Sequence, residues 1–171
     1  TPRHPHVASD SSRPALAFER HAMVIGAGLA GAAVAERLVA RGWRITLIDQ
    51  AGSPAQGASS LRAGAFHPHL SKDDCLLSRL SRHAFLRSLV RWQALERDGH
   101  ALAWARCGLI ERPHRPNEEA EMAQTLERLG FPPEFAQFVD TPRASEIAGA
   151  AMGGGGWWIP HGGWMRAPIL V

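Results

Sequence analysis

Gly26, Gly28 and Gly31 stand in the run Gly26-Ala27-Gly28-Leu29-Ala30-Gly31, and Asp49 follows 23 positions after the first of them. Each residue type has a physical use at that spacing. Gly26 permits a tight turn, Gly28 lacks the Cβ that would block a diphosphate, and Gly31 lets a helix lie close on a strand. The free N–H groups and positive dipole end of that helix attract phosphate oxygens. Asp49 is placed to accept hydrogen bonds from ribose hydroxyls, and its charge disfavours a 2′-phosphate. Dinucleotide binding is therefore the chemistry expected of Gly26, Ala27, Gly28, Leu29, Ala30, Gly31 and Asp49. The motif alone does not choose between NAD and FAD.

The elements that must position these residues are legible around them. Ala22 to Ile25 is a short apolar β run, Ala32 to Arg41 has helical texture stopped by Gly42, and Arg44 to Ile48 is a second strand. A small-residue loop, "SPAQGASSLRAGAFHPHLSKDD", comes next. Gly57, Ala58, Ser59 and Ser60 let backbone approach a ligand, and their hydroxyls and N–H groups can extend a phosphate site. Asp73 and Asp74 are the expected N-caps of a long helix from Cys75 to Arg97, with Gly99 as its stop. Leu77, Leu80, Ala84, Leu89, Trp92 and Leu95 follow a helical period and read as its buried stripe. Arg79, Arg82, Arg87, Arg91 and Arg97 fall mainly outside that stripe. A solvated face is the expectation for them, with an RNA-facing role as the alternative.

From Ala101 the texture changes. "LAWARCGLIERP" reads as two short strands broken at Gly108, and Asn117 reads as the cap of a helix from Glu118 to Leu129 that Gly130 closes. Phe131 to Phe138 reads as short helical or irregular chain. Thr141-Pro142 opens a short helix through Ile147. Gly153 to Gly156 lead into a strand over Trp157-Trp158-Ile159, which Pro160 to Gly163 turn back. Strand alternation sends only one of Trp157 and Trp158 toward any pocket.

Bulk properties narrow the class. The chain of 171 residues is 45% apolar with a formal charge of +3, as in globular proteins. No apolar run approaches the ~18 residues of a membrane span. A basic balance this small permits an anionic partner such as RNA without requiring one. Cys75 and Cys107 are far apart and form no CxxC pair, which fits a reducing cytoplasm. His67-Pro68-His69 and His4-Pro5-His6 each space two imidazoles two apart, but no neighbouring Cys, Asp or Glu completes a ligand set, so no metal site is expected. Residues 1–21, rich in Pro, Ser and His, have little to bury and read as a disordered linker.

The "GAS" segment after the acidic end of the second strand resembles the D-amino-acid oxidase-like flavoenzymes. Within that family, "GAFHPHLSKDD", "LSRLSRHAFLRSLVRWQAL" and "GGWWIPHGGWMRAPIL" are similar to the FAD-dependent oxidoreductase half of the bifunctional enzymes that make 5-methylaminomethyl-2-thiouridine at the tRNA wobble position. The resemblance runs from about Ala22 to Leu170. It implies an α/β fold class: a Rossmann-like FAD-binding domain over residues 22–99, then the start of an α+β substrate domain over 100–171, the whole reading as truncated. It implies FAD as cofactor, tRNA as substrate, a cytoplasmic setting with no membrane, and a linked methyltransferase domain upstream.

The implied reaction is oxidation of a CH–NH bond. Hydride leaves a carboxymethylaminomethyl group and the resulting imine hydrolyses. The resemblance also implies a polar role beside flavin or substrate for His67 or His69, without fixing which. It puts His161 and Trp164, on the late turn, near the substrate base, where aromatics wall off water. A substrate carboxylate calls for an arginine, for which Arg166 is the candidate, and the catalytic residues themselves are not identified. A broader amine or amino-acid oxidase and a non-catalytic nucleotide-binding fragment remain the alternatives. The chain alone is expected to be inactive and to hold FAD weakly or not at all.

Overall fold

The structure, a computed structural model, describes residues 20–115 and 118–171. Strand β1 (His21–Ile25) and strand β2 (Arg44–Ile48) pair in parallel, from His21 opposite Arg44 to Ile25 opposite Ile48. Helix α1 (Leu29–Val39) makes the crossover between them. It starts three residues before the expected Ala32, because Leu29, Ala30 and Gly31 already form its first turn. It ends at Val39, and Gly42 follows at φ +77° with its N–H on the Val39 carbonyl. The first strand likewise begins one residue early, at His21. Of the expected linker over residues 1–21, residues 1–19 lie outside the described residues.

After a 3-10 turn at Ala58–Ser60 come β3 (Gly64–Phe66) and the long α2 (Leu76–Arg97). Then follow β4 (Trp104–Ala105), β5 (Leu109–Glu111), α3 (Glu119–Leu129) and β6 (Gln137–Val139). The described chain closes with α4 (Thr141–Ala148), β7 (Gly156–Ile159), β8 (Gly163–Met165) and a 3-10 turn at Ala167–Leu170. Two antiparallel sheets result, in the orders β3-β8-β4 and β5-β7-β6. The first draws strands from both sides of residue 99. β7 and β8 therefore do not form a hairpin. Pro160 to Gly162 carry the chain from one sheet to the other instead of folding it back on itself.

The core lies between α2, α3 and these two sheets. Phe85, Leu89 and Ile159 are buried with Phe66, Trp92, Trp104, Leu109 and Phe135 packed around them. Trp92 meets Phe66 edge-on at 5.0 Å and Trp104 at 5.3 Å, the offset geometry that ring quadrupoles favour. A second cluster joins Leu70, Met122, Leu126, Ala136 and Trp157.

The buried stripe of α2 follows expectation at Leu89, with Trp92 and Leu95 partly buried, and departs from it in the first half of the helix. Leu77 and Leu80 are 62% and 59% exposed and Ala84 is exposed too, while Ser78, Phe85 and Leu89 are buried. Polar partners turn the helix this way. Ser78 Oγ donates to Ser71 Oγ at 2.7 Å, and Arg82 pairs with Asp74 while its guanidinium lies 5.0 Å over the Phe131 ring.

The caps of α2 differ as well. Asp74 sits at φ +46° facing Arg82, Asp73 accepts weakly from the Cys75 N–H, and the N-cap position falls on Cys75. Arg91 bonds Glu36 of α1 at 2.8 Å, so of the arginines read as solvated, Arg82 and Arg91 are instead committed to ion pairs. Arg79, Arg87 and Arg97 are exposed.

The expected cap Asn117 lies outside the described residues. Gly130 closes α3 at φ +62° as its left-handed cap. Gln137 and Phe138, read as irregular, pair with β7 in β6. For α4 the cap is Asp140, which accepts from the Arg143 N–H at 2.9 Å, with Pro142 in the first turn.

Candidate functional site

The glycine corner is built as its sequence requires. Gly26 takes φ +102°, open to glycine at no cost, and donates its N–H to the Ile48 carbonyl at 2.7 Å. That bond stitches the corner to the end of β2. A Cβ on Gly31 would overlap the Gly26 carbonyl oxygen, so glycine here is what lets α1 sit on the strand end. A Cβ on Gly28 would lie 2.9 Å from Ser59 Oγ.

Two side chains hold the corner from outside. Asp49 Oδ2 accepts from the Ala27 N–H at 2.6 Å and its Oδ1 from the Ala51 N–H at 2.8 Å. The Ala27 bond first, and the Ala51 bond after it, hold the carboxyl below the usual aspartate range. The sequence offered Asp49 as a ribose ligand; the structure gives it a second task, fixing the loop. An ionised carboxylate has about four lone-pair sites, so ribose hydroxyls still find acceptors there. Ser59 Oγ accepts from the Leu29 N–H at 3.0 Å, from the 3-10 turn that contains Ala58 and follows Gly57. Ala55 donates to the Ala27 carbonyl at 2.8 Å, bringing the small-residue loop under the corner.

The residues present fit a dinucleotide. The first turn of α1 carries no acidic side chain, and its N-cap, Gly28, makes no side-chain bond. Apart from the Leu29 N–H, which Ser59 Oγ holds, the positive end of the helix is thus left for an anion.

The candidate substrate residues are more scattered. His67 and His69 flank the buried Pro68 and part company. His67 lines a cavity of about 520 Å³ between α1 and α2, together with Leu29, Glu36, Arg91 and Trp92. His69 lines a cleft of about 290 Å³ with Glu111, Arg112, Met122 and Trp157.

Trp157 is packing: it is 7% exposed and its Nε1 donates to the Met122 carbonyl at 2.9 Å. Trp158 covers Gly108, where a Cβ would overlap its ring. Trp164 is not on the turn but at the centre of β8, opposite Ala65 and Ala105, and is 41% exposed. His161 remains on the turn, half-buried, and the Arg166 side chain is exposed. Among the described residues, no group of three or more His, Cys, Asp or Glu side chains is placed to hold a metal ion, and no helix is long and apolar enough to cross a membrane.

Sequence reasoning missed Glu111. It reaches from β5 to lie 3.5 Å from His67 Nδ1, and its Oε2 is buried without a hydrogen-bond partner among the described residues. The available signal was an acid closing an otherwise apolar strand, "LIE".

Residues 21–171 match the family described as FAD dependent oxidoreductase. The chain belongs to that family. A bifunctional protein of tRNA 5-methylaminomethyl-2-thiouridine biosynthesis, MnmC, from Ralstonia nicotianae is 49% identical over 152 residues, covering 89% of this chain and 23% of the relative. The protein of the same name from Paraburkholderia phytofirmans is 46% identical over 157 residues, covering 92% of this chain and 24% of the relative. The chain therefore spans about a quarter of the length of these relatives. Among solved structures, glycine oxidase from Bacillus cereus superposes with a TM-score of 0.65 at 22% identity, over 89% of this chain and 41% of that one. That likeness is one of fold. In this FAD dependent oxidoreductase chain, then, the α/β architecture belongs to an oxidase-like FAD-binding fold.

Proposed function

We propose that the chain is part of a longer FAD-dependent oxidoreductase that acts on tRNA, oxidising the CH–NH bond of a carboxymethylaminomethyl group on the wobble uridine. Identity of 49% to the Ralstonia nicotianae relative is the single observation that carries the reading, and the glycine corner supports it chemically. FAD, when bound, supplies the hydride acceptor that the oxidation needs.

This chain's residues do the holding. Gly26, Gly28 and Gly31 admit the diphosphate to the end of α1, with Ala27, Leu29 and Ala30 supplying backbone around it. Asp49 takes ribose hydroxyls while fixing the loop, and Gly57, Ala58 and Ser59 close over the phosphates. Trp164 presents an exposed aromatic face to a base, with His161 close by in sequence. Arg166 is the proposed partner of the substrate carboxylate. A methyltransferase domain linked upstream and a cytoplasmic setting complete the proposal.

The test uses the full-length protein. It should purify yellow, and anaerobic addition of tRNA carrying carboxymethylaminomethyluridine should bleach the flavin. Bleaching by sarcosine or proline but not by tRNA would make it a broader amine oxidase. A colourless protein that stays colourless after reconstitution would make it a nucleotide-binding chain without redox function.

A further inference from the structure

His67 follows β3 directly and lines the cavity that begins at Leu29, the residue whose N–H is held by Ser59. The cavity therefore opens beside the glycine corner. Two oxygens approach one nitrogen of the His67 ring: the Pro68 carbonyl lies 3.2 Å from Nδ1, and Glu111 Oε2 lies 3.5 Å from it. A carbonyl can only accept, so the nitrogen bonded to the Pro68 carbonyl carries the proton. The neutral ring is then protonated on Nδ1, and its lone pair sits on Nε2.

Glu111 has reason to stay there. Its Oε2 is buried and has no hydrogen-bond partner among the described residues, so the His67 ring is the group nearest to satisfying it. Glu111 stands in β5 opposite Trp157, while His67 leaves β3 in the other sheet, so the pair spans the two sheets. Nε2 has no partner among the described residues, and the His67 side chain is 34% exposed. Glu36 on α1 and Arg91 on α2, the other charged groups lining this cavity, bond each other at 2.8 Å. His69 lies on the far side, in the cleft that Glu111 also lines.

We propose that His67 is the proton acceptor for the substrate amine, with Glu111, whose Oε2 lies 3.5 Å from Nδ1, as the positioning residue that favours a proton on that nitrogen; this rests on the amine-oxidation reading above. The step is a proton transfer. One N–H bond of a secondary ammonium breaks, an Nε2–H bond forms on His67, and no electrons are exchanged. The freed nitrogen lone pair is what oxidation of the adjacent C–H requires.

The test uses full-length protein loaded with FAD. Long-range proton–nitrogen spectra of protein labelled with nitrogen-15 histidine should show His67 protonated at Nδ1. Protonation at Nε2 would overturn the proposal, whatever the activity. Anaerobic flavin bleaching by substrate near neutral pH should slow about 100-fold in His67→Asn, which keeps a donor near the Nδ1 position but lacks the base.

That deficit should shrink as pH rises toward the amine's own pKa, and free imidazole should restore part of the rate in His67→Ala. A deficit constant with pH and indifferent to imidazole marks a structural role and overturns the proposal. Glu111→Gln should weaken the Nδ1 preference and slow bleaching about tenfold with FAD content unchanged. Wild-type flavin that no amine bleaches would sink the oxidation reading itself, whereas normal bleaching in the His67 variants would sink only this proposal.

Discussion

The Ala27 N–H points at Asp49 Oδ2 across 2.6 Å, joining the glycine corner to the end of β2 over 22 residues of chain. That bond fixes the shape of the corner. Replacing Asp49 with Asn removes the charge and turns one acceptor into a donor facing another donor. FAD affinity of the full-length protein should fall by about tenfold or more, the scale of one lost charge-assisted hydrogen bond. Flavin titration by fluorescence quenching measures it, and unchanged affinity would remove Asp49 from the site.

Gly28 and Gly31 should separate folding from cofactor binding. A Cβ on Gly31 overlaps backbone, the Gly26 carbonyl, and cannot be relieved cheaply. Gly31→Ala should cost about 1–3 kcal/mol and lose FAD as well. A Cβ on Gly28 meets the Ser59 side chain rather than backbone, its hydroxyl at 2.9 Å. Gly28→Ala should therefore melt within a few degrees of wild type yet purify with little flavin. Equal melting losses in the two variants would contradict the assignment.

Gly108 carries two demands at once, φ +83° and a Trp158 ring where its Cβ would go. Gly108→Ala should lose about 3 kcal/mol, combining left-handed strain with overpacking. Adding Trp158→Leu should recover the packing part and leave the backbone part, about 1–2 kcal/mol, in place. Urea denaturation of the single and double variants reads both terms.

Trp157 and Trp164 should behave oppositely. Trp157→Ala empties a core position and should cost about 3–5 kcal/mol. Trp164→Ala, on an exposed strand face, should change stability by less than about 1 kcal/mol and slow tRNA turnover more than it lowers flavin content. Normal turnover with a lowered melting temperature would assign Trp164 to packing.

Acid should loosen the protein through identifiable groups. Asp49 is held down by the Ala27 and Ala51 N–H groups, Asp73 first by the Ser71 hydroxyl, and Glu121 by Lys72 at 2.9 Å. With folded values below the unfolded ones of about 4, their stabilisation is present above that pH and is lost as pH falls through the folded values. Lys72 runs the other way: raised by Glu121, its contribution holds below its unfolded value of about 10.4 and fades as pH rises through the folded one. Urea midpoints should drop as pH falls below about 4, less steeply in Asp49→Asn and Asp73→Asn. Identical slopes in all three proteins would place the acid sensitivity elsewhere.

The β1-α1-β2 unit was legible because its information is local: three glycines at fixed offsets, an apolar run before them and an acid after. The face of the first half of α2 was misread for a physical reason. Leu77 and Leu80 fit a helical period, but Ser78 and Arg82 are pinned by Ser71 and Asp74, and those partners rotate the leucines outward. Pairing of β8 with β3, and of β7 with β5 and β6, joins residues far apart in the chain that carry no local mark of their partners. Glu111 was missed on the same ground, since its meaning comes from His67, which lies 44 residues earlier in the sequence.

Gly108 donates its N–H to the Gly162 carbonyl at 2.9 Å, at the place where the chain passes between the two antiparallel sheets. That bond works as a rivet through both layers. Neither layer can swing open without shearing it, so the amide proton of Gly108 should exchange with solvent only in a joint opening of the two, at a rate that reports the rigidity of the wall behind the cavity.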